Sequence, residues 1–170
     1  PTDSVDLATR YLSFIVDAYV PASSRFHNFM SYARQWLDEA GSEDSHGRCL
    51  WALGAVSSSQ LRKDIKDCCR GLFDSALCPT TNFSSPRAWA FSLLGMPGLD
   101  NSAVASYQLQ VELSNRLMSI YELSRTTNWE WFEESLSYDN ARLSHGLLAA
   151  GRALNDQAKV HAGLKTLNWL

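Results

Sequence analysis

Apolar residues recur along this chain at the three- and four-residue spacing of helices. Ala8, Tyr11, Leu12, Ile15, Val16 and Tyr19 share one face and predict an amphipathic helix over 4–20, with Ser4 as its cap and Pro21 as its stop. Residues 22–44 mix polar and aromatic positions without a period and read as a long loop. A second helix is expected over 45–57. Leu61, Ile65, Cys68, Cys69, Leu72, Phe73 and Ala76 mark a third over 59–77. Cys78 to Asn82 reads as a break. Ser85-Pro86 sets a capping side chain before a proline at the first helical position and opens a short helix to Leu94. Gly95-Met96-Pro97-Gly98 stops it. The longest helix is expected from Asn101 or Ser102 to Ser124, with Leu109, Leu113, Leu117, Ile120 and Tyr121 turned inward. Residues 128–135 suit a short helix. Asp139 is placed to cap a further one through Leu154, Asn155-Asp156 forms a turn, and the last helix carries Val160, Leu164 and Leu167.

No segment alternates convincingly as a strand, and β-branched residues are scattered. The fold class is therefore all-α, with roughly seven helices in stacked antiparallel hairpins and no linker-like run, so residues 1–170 form one domain. The chain begins at Pro1 and ends inside the apolar helical pattern Leu167-Asn168-Trp169-Leu170 without a cap, which predicts a piece of a longer protein.

Composition removes several functional classes. At 45% hydrophobic and 19% charged residues, the chain is not a disordered segment. A net charge of −3 without a basic face argues against a nucleic-acid partner. No window reaches the roughly 18 apolar residues of a membrane span, and no signal segment opens the chain, so no membrane partner and a cytoplasmic location are expected. The four cysteines, Cys49, Cys68, Cys69 and Cys78, form no CxxC pair. Cys68 and Cys69 project about 100° apart on a helix, so they share no metal readily, and all four are expected as reduced, buried thiols. No HExxH, Walker loop, GxGxxG or GxSxG appears; neither a metal nor a cofactor is expected.

Two segments hold chemistry. Gly41-Ser42-Glu43-Asp44-Ser45-His46-Gly47-Arg48 gathers two carboxylates, an imidazole and a guanidinium at a loop-to-helix junction. The plain reading is that Asp44 or Ser45 caps the helix and the acids complement its dipole. The loop before it, with His27, Asn28 and Trp36, is too rich in aromatic and planar polar groups for an idle connection. The second segment is Trp129-Glu130-Trp131-Phe132-Glu133-Glu134, followed by Tyr138, Asp139, Asn140 and Arg142. Aromatic faces and planar side chains together suit a sugar. The plain alternative is core aromatics, a solvated acidic face and an ordinary cap at Asp139. His145 and His161 lack ligand-spaced neighbours and are expected as surface or satisfied histidines.

The segments RFHNFMSYARQWLDEAGSEDSHGRCLWALG (25–54) and WEWFEESLSYDNARLSHGLLAAGRALND (129–156) resemble an (α/α)-toroid domain of bacterial carbohydrate-active, glycosyltransferase-associated proteins, of the six-hairpin glycosidase-like kind. The resemblance covers about a third of the chain closely. It implies a partial (α/α)6 toroid and a glycan or oligosaccharide substrate, with acids on loops at one rim. Glu43 or Asp44 would face Asp139 or Glu134 as acid and base of a glycoside hydrolase. His46, Arg48, Asn140 and Arg142 would orient hydroxyls or tune charge, beside His27, Asn28, Trp36, Trp131 and Tyr138. An inverting pair stands roughly 6.5–9.5 Å apart. One departure is Ala33 in Tyr32-Ala33-Arg34, where relatives often carry a polar residue such as Asp. Three readings stay open: a hydrolytic rim, a non-catalytic glycan-binding module beside a glycosyltransferase, and a helical scaffold. An incomplete toroid would also expose apolar helix faces and favour self-association.

Overall fold

The computed structural model describes residues 2–96 and 104–170. Among them are seven α-helices: α1 (Thr2–Asp17), α2 (Glu43–Ser57), α3 (Lys63–Ala76), α4 (Pro86–Gly95), α5 (Val104–Ser124), α6 (Ala141–Ala153) and α7 (Gln157–Trp169). The all-α class therefore holds. Two strands absent from the sequence reading, β1 (Tyr19–Val20) and β2 (Arg25–Phe26), pair antiparallel after α1, with Tyr19 opposite Phe26. Cys78–Asn82 closes into a 3-10 turn. The expected break at Pro97-Gly98 and helix start at Asn101 or Ser102 lie outside the described residues.

Local chemistry explains most boundaries. The Ser42 hydroxyl caps α2 by accepting from Ser45 N, a role expected of Asp44 or Ser45. Ser85 accepts from Ala88 N at the start of α4, with Pro86 following as the pattern predicts. Asp156 accepts from Ala158 N and Lys159 N and opens α7, after Asn155 turns the chain at a φ of 55°. Asp139 does not cap α6: Asn140 holds the cap position, and Asp139 sits just outside with a φ of 50°.

Segment 128–135 is not helical. Trp131 and Phe132 are both buried and pack edge to face on each other, with ring centres 5.3 Å apart. The segment bends instead, with Thr126 and Trp129 exchanging backbone hydrogen bonds and the Trp129 indole donating to Glu133 O at 2.7 Å. In α1 only Leu12 of the predicted stripe is buried; Tyr11 and Val16 are exposed, and a cleft of about 360 Å³ lies between Leu12 and Val16 of this helix and Ile65, Cys68 and Cys69 of α3.

The core is built on close helix crossings. α2 and α4 run parallel in constant register: Glu43 meets Ser84 and Ser85, Gly47 meets Ala88, and Gly54 meets Gly95. A Cβ on Gly54 would stand 1.9 Å from the Gly95 carbonyl oxygen, so only glycine permits this approach. α6 continues the row, with Gly146 against Ala90. α7 returns antiparallel on α6, where Gly163 meets Leu148 and the Ser144 and Thr166 hydroxyls bond at 2.8 Å. α3 packs on α2, and α5 on α4 and α6. Leu50, Leu53, Phe73, Phe91, Leu113, Leu117, Leu143 and Leu147 are fully buried between these layers. Each contributes about 1.5–3 kcal/mol by leaving water. The row gathers the starts of α2, α4 and α6 at one end of the molecule.

Candidate functional site

That shared end joins the two chemistry-bearing segments. Arg48, one turn into α2, donates from Nε to Asp44 Oδ2 at 2.8 Å and from Nη2 to Asp139 Oδ2. The Tyr138 hydroxyl donates to the other Asp44 oxygen at 2.9 Å. Two carboxylates that lie 95 positions of chain apart in origin thus meet on one guanidinium.

 Burial works against the charge on Arg48, but the bonds and charges of Asp44 and Asp139 outweigh it and raise its pKa. Burial and the bond to Asp44 likewise push the Tyr138 phenol upward. Beside this clasp lies an open cleft of about 420 Å³, lined by Asn28, Ser42, Asp44, Ser45, Arg48 and Cys49.

A second arginine holds the segment that carries Tyr138 and Asp139. Arg87, in the first turn of α4, is only 5% exposed. It donates to the Tyr138 carbonyl at 2.6 Å, to Glu133 Oε1 at 2.8 Å and to Asn140 Oδ1 at 3.2 Å. Its guanidinium also lies 4.7 Å from the centre of the Tyr138 ring, while Tyr138 itself stays 53% exposed. Asn140 completes the brace by accepting from Ser137 N.

The remaining candidates separate. Glu43 is committed to structure: its Oε2 accepts from Ser84 N and Ser85 N at 2.9 and 2.7 Å, tying the start of α4 to α2. Glu134, expected as an acid or base opposite Glu43 or Asp44, is exposed, and its neighbour Glu133 turns inward to Arg87. His46 is a core residue. Its ring lies 5.1 Å from both Phe26 and Phe83, and its Nε2 pairs with Ala76 O at 2.9 Å. Burial lowers its pKa to about 4, so it is neutral near pH 7 and reaches no ligand. Trp131 is buried as well, stacked 5.9 Å from Trp169, and is no sugar platform.

His27 and Trp36 stack at 4.9 Å, and Trp36 also meets Phe14 of α1. Their loop is a compact hairpin: Asp38 accepts from Asn28 N and Phe29 N, Leu37 N donates to Phe29 O, and Arg34 turns the tip at a φ of 58°. Burial opposes the Asp38 charge, yet the two backbone bonds and His27 hold its pKa below the usual carboxylate range. Ala33 sits at that exposed tip. Arg142 lies over Trp51, 4.5 Å from its ring centre.

Among the described residues, no group of three or more His, Cys, Asp or Glu side chains could hold a metal ion, and no helix is long and apolar enough to cross a membrane. The cysteines are free thiols; Cys69 is buried and Cys49 half-buried, but Cys68 and Cys78 are exposed, against the expectation of four buried thiols.

Arg87 and Glu133 were missed in the sequence reading. The available signal was α4 itself, PRAWAFSLLG, whose apolar residues surround the helix. Such a helix is central, and a lone charge on it must be buried and partnered. No family model, curated protein or solved structure matches this chain.

Proposed function

We propose that this chain is a carbohydrate-binding helical domain, part of an (α/α) toroid, which holds a glycan at the end where α2, α4 and α6 begin. The observation that carries the reading is the clasp of Asp44, Arg48, Asp139 and Tyr138 beside the open cleft. Sugar hydroxyls both donate and accept, and here carboxylate acceptors and guanidinium donors stand side by side. Tyr138 adds an exposed ring whose position is fixed from behind by Arg87. The parallel row with its returning helices supports the toroid assignment.

A non-hydrolytic role fits better than glycoside cleavage. An inverting pair needs a water between its carboxyl groups. The Arg48 side chain occupies that position between Asp44 and Asp139, and Glu43 is tied up at the start of α4. Titration calorimetry against a panel of neutral and acidic oligosaccharides tests the reading. Binding is expected that weakens by about tenfold or more in Asp44→Asn, without release of reducing sugar. Sugar release that Asp44→Asn abolishes would establish the hydrolytic reading instead. Failure of every glycan to bind would overturn the carbohydrate assignment.

A further inference from the structure

The clasp adjoins a second cluster that it does not use. Arg48 lies 4.2 Å over the ring of Phe91, Phe91 stacks on Trp51 at 5.9 Å and 13°, and Arg142 covers Trp51. A guanidinium therefore stands at each end of a two-ring stack. The two differ in charge balance. Arg48 is shared by two carboxylates, whereas among the described residues Arg142 has no carboxylate at salt-bridge distance. Its one side-chain hydrogen bond runs from Nη1 to His145 Nδ1 at 3.2 Å. Its other donors are open to solvent rather than buried without partners.

The bond to His145 also sets the imidazole. A nitrogen that accepts from a guanidinium carries no proton, so the ring proton of neutral His145 is on Nε2. Burial, and then the Arg142 charge, lower the His145 pKa, consistent with a neutral ring. The imidazole thus anchors one edge of the guanidinium, which lies over the Trp51 ring and leaves its other edge free. An unbalanced guanidinium held in one orientation has little freedom left to lose on binding, and its fork matches a planar anion.

We propose that Arg142, His145 and Trp51 form a subsite for an anionic substituent of the bound glycan, a sugar carboxylate. This rests on the carbohydrate reading above and narrows its substrate class to acidic saccharides. Arg142 would receive the carboxylate on its free edge, His145 would hold Nη1 in place from Nδ1, and Trp51 would back the guanidinium.

The test titrates the whole chain with oligogalacturonate and with the same oligosaccharide as its neutral methyl ester. Arg142→Lys, which keeps a positive charge but loses the fork, is compared alongside Arg142→Gln, and circular dichroism checks that both fold. The acid form is expected to bind about tenfold or more tighter than the ester, with a salt-sensitive difference. Both variants should lose that preference, binding acid and ester equally. Equal binding of acid and ester by wild type would overturn the subsite and leave the carbohydrate reading standing. A preference for the acid that survives in both variants would place the anion elsewhere and overturn it too. Binding of neither form, together with silence across the neutral panel, would remove both.

Discussion

Replacing Gly54 with alanine tests whether α2 and α4 touch through their backbones. The new methyl would sit 1.9 Å from the Gly95 carbonyl oxygen, about 1.5 Å inside ordinary contact. No rotamer change relieves this, since the obstacle is helix backbone. The helices must part, and Leu50 and Phe91, both fully buried, would lose packing between them. Overpacking of this kind costs about 1–3 kcal/mol, and a backbone clash belongs at the upper end. Alanine returns about 1 kcal/mol in helix propensity. The net expectation is a loss of about 2 kcal/mol, or a drop of about 4–8 °C in Tm for a chain of this size. Gly71→Ala is the internal control: it also lies inside a helix, is exposed, and its Cβ would meet nothing within 4 Å. It should gain up to about 1 kcal/mol. Urea unfolding followed by circular dichroism, fitted with a common m value, measures both. Equal shifts in the two variants, or a Gly54→Ala protein as stable as wild type, would refute the backbone contact and with it the register that aligns the rim.

Three further outcomes are expected. His46 is neutral in the fold with a pKa of about 4, below the ordinary 6.5 it regains on unfolding, so its contribution is complete above pH 6.5 and declines as pH falls toward 4. The full loss is about 3 kcal/mol, and His46→Gln should flatten that part of the pH dependence of urea unfolding relative to wild type. Arg87→Met would leave Glu133 Oε1 and the Tyr138 carbonyl without their donor and Asn140 held by Ser137 N alone, costing about 3–5 kcal/mol; limited proteolysis should then cut within 133–140, and Arg87→Lys should not restore protection because it lacks the fork. Asp38→Ala removes the acceptor of two amides and should cost about 1–3 kcal/mol; faster hydrogen exchange at Asn28 and Phe29, with core amides unchanged, is the expected signature.

The helices were legible because their apolar spacing and caps are local. Leu109, Leu113, Leu117 and Tyr121 are buried as the period predicts, and Ser85-Pro86 opens α4 as written. The meeting of Asp44, Arg48, Tyr138 and Asp139 was anticipated in outline, since each falls near a helix start. The side-chain partners were not. Whether Glu43 faces solvent or the start of α4 depends on how closely α2 approaches α4, and that distance is set by Gly47 and Gly54. His46 and Trp131 look like ligand groups in a motif but are buried by neighbours remote in sequence, Phe83 and Trp169. The failed helix at 128–135 has the same origin, because burial of consecutive aromatics overrode local propensity.

The row of parallel helices also imposes an order in time. Contacts between α2 and α4 join residues 41 positions apart, as between Glu43 and Ser84, and Arg87 reaches 53 positions to Asn140. The pairing of α6 with α7 instead closes across a short turn, with Ser144 and Thr166 only 22 positions apart. Closing a longer loop forfeits more chain entropy before any contact rewards it. The α6–α7 hairpin is therefore expected to form early, and the rim, which needs all three helix starts in place, to be completed late as the chain folds.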